Sequence, residues 1–324
     1  MIHKVKLLFM VVLVVFVSVG CSGQQKAETF KVGVLQLVDV LADVEDGFKA
    51  GMADLGYTEG ENVTYLQRNA NANMDDLQRF AQEFVGEKVD LIVSITTPSS
   101  VTAMEAGKDA GIPVVFVMVS DPIGAGLVKS LTQPGGQVTG IMDGDTETVG
   151  KRLEILLGLA PGIQKVLSVY SFEEALLPAE ENLRQAAATL GVELVERQVQ
   201  TTEEARTAFL SIEPGEVDAI FIPSDGLIVD AQDAIMELAV RDGLPTVGPG
   251  GVSDFSVASY GANFYQAGVQ GATLADKILN GSDPATLPVE IAREFDLILN
   301  LRVANQIGLT VPENMLNLAD VVLQ

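Results

Sequence analysis

The chain has 324 residues, 44 of them acidic against 20 basic, and a formal net charge of −24 at pH 7. So acidic an exterior stays well solvated and repels nucleic acid and anionic lipid headgroups. The one histidine is His3 and the one cysteine is Cys21, which excludes Ser-His-Asp and Cys-His catalysis, the usual zinc sites and an internal disulfide downstream of them. No catalytic residue, metal site or cofactor is expected, and the chain is not expected to be an enzyme; Ser99 or Ser224 as a nucleophile would lack the usual base.

Lys4 and Lys6 precede an apolar run over residues 7–19 in which only Ser18 is polar, followed by Gly20 and Cys21. Basic, apolar and then small residues is the order of a secretory signal, and the run falls short of the roughly 20 residues that span a bilayer. Residues 1–20 are therefore expected to leave as a signal peptide. Cys21 resembles the lipid-modified cysteine of a bacterial lipoprotein, with Ser18 where such sites usually carry Leu, Val or Ile. Residues 21–29 then read as a polar tether, and the lipid is the only expected contact with the membrane.

In chain order, residues 31–37 read as a strand, and a helix with Val44, Phe48, Met52 and Leu55 on one face ends at Gly56. Strand 62–67, helix 75–86, strand 89–95, helix 99–109, strand 113–119, a short helix over 126–131 and strand 138–141 complete the first half. A helix over 151–159 precedes Pro161, and the pattern restarts: strand 165–170, helix 179–190, strand 192–198, helix 203–212, strand 217–223 and helix 228–242. A strand running into Gly261, a helix over 265–279, a strand pair with a helix, and a short run at 320–323 follow.

Three stretches of the first half recur in the second in the same order. LGYTEGENVTYL returns as LGVELVERQV, VDLIVSITTPSS as VDAIFIPSDGL, and GIPVVFVMVSD as GLPTVGPGGVSD. Helical and strand periodicity alone could produce one such echo; three in register imply two similar lobes. The expected fold is α/β: two doubly wound parallel-sheet lobes joined by crossing hinge strands. The first is expected to comprise 30–142 plus 260–285, and the second 143–259 plus 286–324.

Open α/β sheets bind ligands beyond the carboxyl ends of their strands. In the first lobe that rule selects Gln36, the cluster from Thr96 to Ser100 with Thr97, Ser99 and Ser100 in it, and the Ser120-Asp121 pair. Hydroxyls and free N–H groups at a helix start suit a carboxylate, though an ordinary helix cap has the same composition. In the second lobe it selects Tyr170, Ser171, Glu173 and Glu174, then Ser224 and Asp225, and Asn263 and Phe264 at the recrossing. Asp225 reads equally as a partner for a ligand ammonium or as the cap of the helix after it. Tyr170 and Phe264 read as packing for a ligand side chain or as core.

From about Lys31 to Leu323 the chain resembles the ABC-transporter substrate-binding lipoproteins that include tryptophan- and tyrosine-binding proteins. The stretches that carry the resemblance include GVLQLVD, GFKAGMADLGYTEGENV, VDLIVSITTPSS, IPVVFVMVSDPIGAGLVKSLTQPGGQVTGIMD, KRLEILLGLAP, VASYGANFYQAG and LNLRVANQIGLTVPE. The resemblance implies a type I periplasmic-binding-protein fold that closes on a small solute and presents it to an ABC permease. It matches Thr97, Ser99 and Ser100, Asp121, Asp143, and Ser224 with Asp225 to segments of the family pattern. The chain departs from that pattern after its first strand, after Tyr170, and at Asn263-Phe264, where related proteins carry Asp-Tyr.

The expected function is that of an exported, lipid-tethered monomer that binds a small solute, an amino acid in the first instance, and delivers it to an ABC importer. The alternative is a sensory module of the same fold that signals occupancy to a receptor. A DNA-binding repressor of this shape would need an amino-terminal helix-turn-helix where the signal segment stands.

Overall fold

The computed structural model describes residues 29–38, 41–172 and 177–324. In chain order the first half runs β1 (Phe30–Gln36), α1 (Ala42–Asp54), β2 (Val63–Asn69), α2 (Met74–Glu87), β3 (Leu91–Ile95), α3 (Thr97–Gly107), β4 (Val114–Val119) and β5 (Val138–Met142). The second half opens with α4 (Asp145–Leu159). It continues through β6 (Lys165–Ser171), α5 (Leu177–Leu190), β7 (Glu193–Val199), α6 (Thr202–Leu210), β8 (Ala219–Phe221), α7 (Gly226–Val229), α8 (Gln232–Asp242), β9 (Thr246–Gly248) and β10 (Ala258–Ala262). Last come α9 (Phe264–Leu279), β11 (Glu290–Ile291), β12 (Phe295–Asn300), α10 (Leu301–Gln306), α11 (Glu313–Leu318) and β13 (Val321–Leu323).

These strands form two sheets, ordered β11-β5-β4-β3-β1-β2 and β13-β12-β10-β9-β8-β6-β7. Every pairing is parallel except that of β10 with β12. The runs β2-β1-β3-β4-β5 and β7-β6-β8-β9-β10 have the same order, so the echoes in the sequence occupy equivalent places. VDLIV supplies β3 and VDAIF supplies β8, the strands beside the point where the strand order reverses. Both β3 and β8 are buried along their whole length, as parallel strands covered on both faces must be.

The repeated Val-Asp has a structural job. Asp90 accepts a hydrogen bond from the backbone N–H of Lys31 at the start of β1, and Asp218 accepts from Gln164 and Lys165 at the start of β6. In each lobe the backbone N–H of that aspartate returns the bond, to the carbonyls of Lys31 and Lys165. Each carboxylate thereby closes an open strand end.

Three predicted helices differ in extent. Residues 122–126 form successive turns in place of a helix near 126–131, because Asp121 Oδ1 accepts from Ile123 N and Gly124 N and Gly126 sits at φ +72°. Helix α4 starts at Asp145, earlier than its apolar spacing suggests, since Asp143 Oδ1 accepts from Asp145 N and Gly144 adopts φ +70°. The helix expected over 228–242 is interrupted between α7 and α8, where Arg206 donates to the Asp230 carbonyl.

The chain passes between the sheets three times: after β5 at Asp143–Gly144, after β10 at Asn263, and between β11 and β12. Tyr260–Ala262 thus pairs in the second sheet and Glu290–Ile291 in the first. The passages bond to one another: Ala292 N donates to Met142 O at 2.8 Å, and Asn263 N donates to Glu294 O at 2.9 Å. Helix α9 then packs along α1 with backbones almost touching. A Cβ on Gly47 would lie 1.9 Å from the Tyr265 carbonyl oxygen, and one on Gly268 2.0 Å from that of Val44.

Candidate functional site

The carboxyl ends of the two sheets face each other across a cavity of about 500 Å³. Thr96, Thr97, Met118, Ser120 and Asp143 line it from the first lobe, and Asp145, Ser224, Gly226, Pro249 and Gly261 from the second. A second cavity of about 530 Å³ shares Leu41, Gly250, Ala262 and Phe264 with the first, so the two adjoin. Asp43, Val252, Asn263, Tyr265 and Asp296 are among the residues that line it. Glycine is required where the two pieces of second-lobe backbone meet in this wall, because a Cβ on Gly261 would lie 2.6 Å from the Gly250 Cα.

Two residues on the first-lobe wall carry backbone strain. Thr96 stands at φ +76° and Met118 at φ +64°, in the left-handed region that side chains with a Cβ rarely occupy. Met118 coincides with a register shift between β4 and β5, and Thr96 N donates to Val117 O beside it. The bulge redirects the end of β4 just before Ser120.

The cavity collects some of the residues expected from sequence and leaves others elsewhere. Thr97, Asp143, Ser224 and Phe264 line the first cavity, and Asn263 lines the second with Phe264. Ser99 and Ser100 are fully buried; Ser100 Oγ donates to the Thr96 carbonyl and accepts from Ser94 Oγ, closing the first turn of α3 from inside. Gln36 is buried away from both cavities and donates to Glu45, which also accepts from Gln67 and pairs with Lys49. Asp121 caps the turn after β4.

Among the second-lobe residues, Asp225 is 3 % exposed and uses both oxygens within the fold. Oδ1 accepts from Leu227 N and Oδ2 from Ser171 N. Asp225 thus takes the capping role of its two sequence readings, joining the ends of β6 and β8. Tyr170 is buried and its hydroxyl accepts from Arg184. Glu173 and Glu174 lie outside the described residues.

The first crossing concentrates the charge. Ser120 Oγ donates to Asp143 Oδ2 at 2.6 Å, and Ser224 Oγ donates to Asp145 Oδ1 at 2.5 Å, so each lobe sends one hydroxyl to one of two neighbouring carboxylates. Beneath them Arg152, 1 % exposed, pairs with Asp145 at 3.0 Å and stacks over Phe221. Burial and the adjacent charge of Asp145 push the Asp143 carboxyl up to about 6. Asp296 accepts from Asn263 Nδ2 at 2.8 Å; burial, with Asp320 nearby, raises its proton affinity too.

Asp145, Arg152, Met118 and Asp296 escaped the strand-end rule because they lie on a helix, beneath the floor, inside a bulge and on the antiparallel strand. One signal was available. Val149, Arg152, Leu153 and Leu156 fall on one helical face, and an arginine there marks a buried charge that needs a partner.

The sequence matches the family described as ABC transporter substrate binding protein over residues 31–323. The chain belongs to this family. It is similar to a tyrosine-binding protein of Clostridioides difficile (strain R20291), at 33% identity over 274 residues covering 83% of this chain and 78% of the relative. Among solved structures, an ABC domain from Streptococcus pneumonia in complex with L-Trp aligns at TM-score 0.77 and 27% identity, covering 91% of this chain and 100% of that one. A ligand-free, open substrate-binding protein with adhesive properties from Clostridium difficile aligns at TM-score 0.76 and 30% identity, with the same coverage. The fold of this substrate-binding protein is the type I periplasmic-binding-protein fold. Among the described residues no helix is long and apolar enough to cross a membrane.

Proposed function

We propose that this substrate-binding protein captures an amino acid between its lobes and delivers it to the permease of an ABC importer. It does so as an exported monomer held at the membrane by a lipid on Cys21. The observation that carries the reading is one cavity with the start of α3 at Thr97 on its wall and the Asp143 carboxylate facing the same space. A helix start suits a carboxylate and an aspartate suits an ammonium, which together complement an amino-acid backbone. The relatives named for tyrosine and for bound L-Trp support the same solute class.

Solute held by one lobe gains contacts from the other only when the lobes approach, so binding favours the closed arrangement. The third crossing bonds to each of the other two, which gives the lobes a common hinge. Ser120 with Asp143 and Ser224 with Asp145 bring each lobe's hydroxyl to that hinge, next to the solute space. Calorimetry against the twenty amino acids, with X-ray scattering of the same samples, tests the reading. Saturable binding of at least one amino acid with a decrease in radius of gyration is expected; no heat and no compaction with any of them would overturn it.

A further inference from the structure

Among the described residues, those lining the two adjoining cavities include four carboxylates, Asp43, Asp143, Asp145 and Asp296, and no lysine, arginine or histidine. Arg152 answers Asp145 from beneath the floor and acts at longer range on Asp143. In the second cavity no ion pair from the described residues reaches Asp43 or Asp296. Asp296 Oδ2 accepts from the neutral amide of Asn263, and the charges that act on it, Asp320 and Glu294, are negative. An amino acid without a charged side chain carries one ammonium, which the Asp143 end can take, and it leaves Asp296 unanswered in a half-buried wall.

We propose that the second cavity is a subsite for a cationic side-chain end, an ammonium or a guanidinium, so that the solute is a basic amino acid and Asp296 is the residue that selects it. The inference rests on the amino-acid reading above. The cavities define the site, and their charge defines what enters it. Phe264 stands in the wall common to both cavities and Tyr265 in the second, where aromatic carbon suits both the aliphatic stem of such a side chain and its cationic head. A cation there is partly desolvated with one carboxylate at half-buried depth, a setting in which charge pairing outweighs its value in open water.

The test compares L-lysine and L-arginine with L-norleucine, which keeps the lysine stem but not its ammonium, and with L-tyrosine, by calorimetry on the protein and on Asp296→Asn. Lysine or arginine is expected to bind at least tenfold tighter than norleucine, and Asp296→Asn to bring that ratio toward one. If norleucine or tyrosine binds as tightly as the basic amino acids, or if the substitution weakens all ligands alike, the inference is overturned while the amino-acid reading stands. If no amino acid binds, the amino-acid reading falls and takes the inference with it. Should Asp296→Asn not fold, the lysine-to-norleucine ratio of the unaltered protein decides.

Discussion

Ser120 Oγ donates a 2.6 Å hydrogen bond to Asp143 Oδ2, tying the end of β4 to the first crossing. The bond favours the charged carboxylate, but burial and Asp145 outweigh it and hold Asp143 near 6, above its ordinary 3.8. A carboxyl that keeps its proton more tightly folded than unfolded stabilises the fold in its protonated form. That stability is fully present below about pH 4 and is lost as the pH rises through about 6. Asp143→Asn retains an acceptor for Asp145 N and a donor for Ser120 while removing the titration. Denaturant unfolding at pH 4.5 and 7 is expected to show the Asp143→Asn variant gaining about 1–3 kcal/mol on the parent at pH 7 and little at pH 4.5. An equal change at both pH values would reject the assignment.

The two strand-capping aspartates offer an internal comparison. Asp90 accepts one backbone N–H at the start of β1, whereas Asp218 accepts two at the start of β6. Both are exposed, so water partly replaces what alanine removes. Asp90→Ala is expected to cost about 0.5–1 kcal/mol and Asp218→Ala about 1–2 kcal/mol in urea unfolding, both with unaltered solute affinity. A larger loss at Asp90 than at Asp218 would contradict the count of bonds.

Gly47 and Gly268 set the spacing of α1 against α9. By helix propensity alone, glycine to alanine would stabilise an exposed helix by about 1 kcal/mol. Here the added methyl meets backbone carbonyl oxygen, which cannot rotate away. Gly47→Ala is expected to destabilise the protein by at least about 2 kcal/mol, read as a fall in thermal midpoint. An unchanged or higher midpoint would show that the helices separate freely.

Lys88 follows α2 at φ +55° and ψ +55°, exposed, with its N–H bonded to the Phe84 and Val85 carbonyls. In the second lobe the residues after α5 and α8 at comparable φ are Gly191 and Gly243. Lys88→Gly is therefore expected to raise stability by about 1 kcal/mol, since a side chain at left-handed φ carries strain of that order. Chemical denaturation at fixed salt measures it, and a loss of stability would place the strain elsewhere.

Apolar runs such as those in β3 and β4 have one common fate in a chain of this length, a parallel strand covered on both faces, and the order of the three echoes carried the shared topology of the lobes. The site was harder to read. Strand-end position finds Thr97 and Ser224 because they follow directly on β3 and β8. It cannot tell them from Ser99 and Ser100, which one helical turn carries to the inside of the lobe. Nor can spacing show that Asp225 has both oxygens committed, or that Asp296, on the one antiparallel strand of the second sheet's core pairing, comes beside Asn263 from far along the chain. Such contacts depend on the recrossing path, which leaves no periodic trace.

The interleaved path also fixes an order of assembly. The first lobe holds α9 against α1 and takes β11 beside β5, so its parts are not all present until the chain has been made through Ile291. By then every strand of the second sheet except β12 and β13 already exists. A chain cut anywhere between the end of α4 and the start of α9 leaves the glycine seam of α1 uncovered. Neither half can be completed by its own contiguous stretch, and a nascent or truncated product lacking everything from α9 onward leaves open the face of α1 that α9 covers.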